Sequence, residues 1–75
     1  MMQRFESPYP EHTYAVRVRE DLDDDLAAWF SPLTVDHTPE GETALVVQVR
    51  DQAELHGLLI KIRDLNLTLI AIVKV

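Results

Sequence analysis

DQAELHGLLIKIRDL, residues 51–65, is the stretch whose reading decides the fold. At about 100° per residue, Leu55, Leu58, Leu59, Ile62 and Leu65 fall on one stripe, the recurrence expected of a helix that buries a single face. Asp51 stands at the N-cap position, and Glu54 three residues on completes a pattern close to a capping box. Both acids lie where the helix dipole favours negative charge, and Lys61 and Arg63 lie where it favours positive charge. Asn66, which tolerates a left-handed backbone, then lets the chain turn away. The opposite side carries Ala53, Gly57, Ile60 and Asp64. A glycine inside a helix costs about 1 kcal/mol relative to alanine, so Gly57 asks for a packing reason. Ala53 and Gly57 form a small-residue strip, with Ile60 beside it, that a second backbone could approach. The competing reading is a solvated face with a tolerated glycine, because single exposed apolar residues are ordinary.

Working outward, residues 67–75 form an apolar strand with Leu67, Leu69, Ala71, Val73 and Val75 on one side and Ile70 and Ile72 on the other. Near the front, residues 12–19 alternate: Tyr14, Val16 and Val18 point one way, Ala15, Arg17 and Arg19 the other, as in a half-buried strand. Residues 20–30 read as a short helix with Leu22, Leu26, Trp29 and Phe30 on its buried face, Asp21 as cap, and Asp23, Asp24 and Asp25 in its first turns. Pro32 ends it. Residues 33–37 and 43–49 form two strands joined by TPEGE, in which Gly41 suits a positive φ. Residues 1–11, with Pro8 and Pro10 and no periodicity, read as a flexible lead-in to one domain over residues 12–75.

The order is β-α-β-β-α-β. With right-handed crossovers this is an α+β, ferredoxin-like sandwich: a four-stranded antiparallel sheet in the order 4-1-3-2, with both helices on one face. If the larger side of the last strand faces the helices, the bare face carries Ile70 and Ile72 beside Ala15, with Ala44 and Val46 next. That apolar patch, and the exposed edge strand, point to self-association, most simply as a homodimer.

The whole-chain numbers agree with a small domain in need of extra burial. Seventy-five residues bury only about 60% of their unfolded surface. There is no cysteine, hence no disulfide, thiolate metal site or thiol nucleophile. The apolar share of 47% suffices for a packed core. A net charge of -6 disfavours nucleic acid and anionic membrane as partners, since both require clustered Lys and Arg. No apolar run is long enough to cross a bilayer, and no signal-peptide pattern opens the chain, so the expected location is the cytoplasm.

Motifs for chemistry do not emerge. DLDDD at residues 21–25 fails as a calcium loop, because Leu26 and Pro32 occupy the positions that need Gly and Glu. His12, His37 and His56 have no partner at ligand spacing. Ser7 and Ser31 are the only serines, and two glycines, Gly41 and Gly57, do not make a phosphate-cradling loop. Trp29 and Phe30 could line a pocket, but at helical spacing with Leu22 and Leu26 they are expected in the core. No metal or cofactor is expected.

Residues 51–75 resemble the C-terminal half of a group of short bacterial proteins without assigned function, which end in D-Q-A-x-L-H-G-x-L-x-x-[IV]-R-D-L-x-L-x-L-[IL]. A Y-x-[VI]-x-V-R strand at residues 14–19, and W-F before an L-T-[VI] strand at residues 29–35, extend the similarity forward. The resemblance implies no activity; it draws notice to Gln52, His56, Gly57, Arg63 and Asp64. The expectation is a non-enzymatic interaction or regulatory module acting as a homo-oligomer, through Ala15, Val46, Ile70 and Ile72 or the Ala53, Gly57, Ile60 strip. The alternative is a small-ligand sensor using the Gln52, His56 and Arg63 side of the long helix.

Overall fold

The computed structural model describes residues 10–75, so the lead-in expected over residues 1–11 falls almost wholly outside the described part. The elements are β1 (Thr13–Val18), α1 (Asp24–Ala28), β2 (Thr34–His37), β3 (Thr43–Gln48), α2 (Gln52–Asp64) and β4 (Leu69–Lys74). All pairings are antiparallel, and the sheet runs β2-β3-β1-β4. This is the expected ferredoxin-like order, written from the other edge.

Local chemistry explains α2. The Asp51 carboxylate accepts from the Glu54 amide at 2.9 Å. Glu54 closes its side of the box one residue early: Oε1 accepts from the Arg50 amide at 2.8 Å, and Oε2 from Arg50 Nε at 3.1 Å. Asn66 takes φ 59° just past the helix, and the Leu67 amide donates to the Ile62 carbonyl at 3.0 Å. Leu58 and Ile62 are buried, with Leu55, Leu59 and Leu65 packed beside them.

The core lies between the helices and one face of the sheet. Val16, Val18, Leu45, Val47 and Val49 project from the strands and their ends into a cluster that includes Ala27 near the end of α1 and Leu58 and Ile62 of α2. Thr43, fully buried, fastens the loop before α1: its Oγ1 accepts from the Leu22 amide at 2.9 Å and donates to the Glu20 carbonyl at 2.8 Å.

Two expectations are corrected. The first helix begins at Asp24, not near residue 20, because Asp23 is its cap and accepts from the Leu26 amide at 2.8 Å. Asp21 instead meets His37 Nδ1 at 2.9 Å. The helix stops at Ala28, which leaves Trp29 at its C-cap, 62% exposed, while Phe30 reaches the core. The second correction concerns β4. Val16 opposes Ile72 and Arg17 opposes Ala71, so Ile72 packs towards the helices and Ala71 and Val73 lie on the open face. The register then shifts, with Val18 opposite Leu69, and Ile70 is the extra residue of a bulge. A strand apolar on both sides does not declare its face, and a one-residue slip exchanges the two sets.

Candidate functional site

Two surfaces stand out. The first is a groove of about 390 Å³ between the end of α1, the end of β3 and the outer side of α2. Its lining includes the core residues Phe30, Val47, Val49 and Leu58. Trp29, Ser31, Gln48, Glu54, Gly57 and Lys61 complete it. Glu54, Gly57, Leu58 and Lys61 reach it together because they recur at helical spacing along α2. Ser31, at φ 48°, turns the chain sharply after α1. Lys61 Nζ donates to the Trp29 carbonyl at 2.8 Å and stands 5.8 Å from the centre of the Phe30 ring, tying α2 to the end of α1.

The second is the open sheet face. Ala15, Arg17, Ala44, Ala71 and Val73 surround a shallow depression of about 170 Å³. Val46 lies alongside, since it opposes Ala15. Among the described residues no group of three or more His, Cys, Asp or Glu is placed to hold a metal. No described helix is long and apolar enough to cross a membrane.

The model of a family described as a domain of unknown function, DUF8691, matches residues 13–73. The chain belongs to this family. No curated protein and no solved structure matches it. The matched span of this DUF8691 chain runs from the first residue of β1 to the penultimate residue of β4, so the groove and the open face both lie within it.

The DUF8691 fold separates the residues singled out by sequence. Ala15 and Val46 share the open face, Ile70 sits in the bulge, and Ile72 is turned towards the core. Ala53, Gly57 and Ile60 are exposed on α2, but only Gly57 of the three lines the groove. A Cβ added to Gly57 would meet nothing within 4 Å, so no close backbone approach within the chain calls for this glycine. Gln52 lines a separate hollow of about 110 Å³ with His12, Tyr14 and Asp51. His56 is exposed, and Arg63 pairs with its neighbour Asp64 at 3.2 Å. Gln52 and Arg63 share a stripe of α2 but stand roughly 16 Å apart along its axis, so they form no common site. On the rim of the groove, Trp29 takes the pocket position that its spacing had ranked behind the core, and Lys61 has a part beyond matching the helix dipole. Trp29 is exposed because the helix stops at Ala28 and its buried side is taken by Ala27 and Phe30.

Proposed function

We propose that this DUF8691 chain is a non-enzymatic interaction module that works in the cytoplasm as a homodimer joined along β4. What carries the reading is the contrast between the two sheet edges. β2 is four residues long and offers Thr34, Asp36 and His37 among its side chains, the polar design that keeps an edge single. β4 is six residues long, reads LIAIVK, and carries one charge, Lys74. Leu69, Ile70, Val73 and the adjoining Val75 are all substantially exposed. Such an edge is an association site unless something pairs with it.

A second copy fits by symmetry. Antiparallel pairing of β4 with itself about a two-fold axis at Ile72 sets Ile72 against its own copy, Ala71 against Val73, and Ile70 against Lys74. No like charges then oppose each other, and apolar residues meet across the axis. The pairing extends one four-stranded sheet into an eight-stranded one and supplies burial that a domain of this size lacks. Light scattering and sedimentation equilibrium over a concentration series test this. The wild type is expected to show a monomer–dimer equilibrium. Val73→Lys, on a side chain 56% exposed, is expected to weaken it at least ~tenfold while leaving the thermal midpoint of the dilute protein nearly unchanged. A clean monomer at the highest concentration, or a dimer indifferent to Val73→Lys, sinks the proposal.

A further inference from the structure

We propose that the groove beside Gly57 is a binding site for a small aromatic monocarboxylate, separate from the β4 edge and independent of self-association. Three observations converge. First, Gly57 carries a helix cost that nothing inside the chain offsets: its φ is not positive, and a Cβ there would meet no atom within 4 Å. The position lines the groove, where a large side chain would take up space that the glycine leaves open. Second, the groove's charge is unbalanced in favour of an anion. Both Glu54 oxygens are already taken by Arg50, through its amide at 2.8 Å and its Nε at 3.1 Å. Lys61 Nζ has three N–H groups and spends one on the Trp29 carbonyl, and none of the ion pairs among the described residues uses it. A carboxylate over Gly57 would take the remaining donors in a charge-assisted bond. Third, the chain's single tryptophan is left 62% exposed on this rim, and Phe30 backs the same wall. Aromatic faces of this kind stack on a planar ligand body. The volume, about 390 Å³, lies at the small end of ligand pockets and suits a single ring with a short acid arm.

Trp29, being the sole tryptophan, reports directly on its own site. Its fluorescence would be titrated with hydrocinnamate, with the uncharged hydrocinnamamide, and with phenethylamine. Amide shifts of Gly57 and Lys61 in heteronuclear NMR would locate the binding. Hydrocinnamate is expected to saturate with a dissociation constant of order millimolar, what a ligand of this size attains. The amide should bind at least ~tenfold more weakly, and the amine should not saturate. Gly57→Leu, a better helix residue, is expected to abolish binding while raising or preserving the thermal midpoint, which separates a filled groove from a lost fold. Lys61→Met should erase the preference for carboxylate over amide, and Lys61→Arg should retain it. No saturation by hydrocinnamate, equal response to all three probes, or unchanged binding in Gly57→Leu would each overturn the site.

Discussion

The two faces of the sheet are built from neighbouring residues of the same strands, yet they do opposite things. Along β3, Thr43, Leu45 and Val47 are buried under the helices, while Ala44 and Val46, between them, face the other way and are only half-covered. β1 repeats the pattern with Val16 and Val18 against Ala15 and Arg17. The covered face uses large β-branched and leucine side chains that fill the space beneath the helices. The open face uses alanines around Arg17, which makes it flat and shallow. The lesson is that packing beneath the helices is confined to one side of the ladder, so single substitutions one residue apart should differ sharply in what they cost.

The sharpest test is therefore a pair of adjacent truncations. Leu45→Ala empties a site 1% exposed at the centre of the core and is expected to cost about 2–5 kcal/mol. Val46→Ala, one residue on and facing out, should cost less than about 1 kcal/mol. Urea unfolding of the dilute protein compares them. Similar losses would mean that the open face is buried in the monomer and that the division between the faces is false.

The same contrast explains what could be read from the residues alone. α2 was legible in full, because its cap, its stripe and its Asn66 exit all act within one turn of chain. β1 and β3 were legible because they alternate, and alternation names a face. β4 was legible as a strand but not as an orientation. Its apolar residues occupy both sides, and the bulge at Ile70 depends on pairing with β1, which no local pattern announces. The groove was half visible. Gly57 stood out through its helix cost, but its neighbours Trp29 and Lys61 are brought together by a contact spanning 32 residues of sequence. Trp29 was misread because the spacing of four apolar residues does not show that the helix stops at Ala28, with Ala27 and Phe30 on the buried side.

A smaller effect tests how the covered face is sealed at its margin. Thr43 is a polar residue with no exposed surface, and it belongs there because the loop before α1 needs one donor and one acceptor. Thr43→Val keeps the shape and removes both bonds, orphaning the Leu22 amide and the Glu20 carbonyl. The expected loss is about 1–3 kcal/mol, with the amide of Leu22 exchanging faster than the β3 amides. A neutral substitution would show that water replaces the hydroxyl and that the seal is not needed.

The smallest effect concerns how β4 is held, given that few of its side chains are buried. Its leading loop is clasped rather than packed: the Thr68 amide donates to Glu20 Oε1 at 2.8 Å, Thr68 Oγ1 donates to Oε2 at 2.9 Å, and the Arg19 amide donates to the Thr68 carbonyl at 3.0 Å. The bond from the Thr68 amide, helped by the Thr68 hydroxyl, holds the Glu20 carboxyl below its ordinary value of 4.5. A carboxyl whose pKa is lower in the folded chain than in the unfolded one binds fewer protons when folded. Its stabilising contribution is therefore complete above the ordinary value and is lost as the pH falls through the folded one. Glu20→Gln keeps an acceptor for the Thr68 amide but does not titrate. Between about pH 6 and about pH 3 the thermal midpoint of the wild type should fall further than that of Glu20→Gln, by a small margin because the clasp is reached by solvent. Parallel curves would show that the clasp positions β4 without depending on charge.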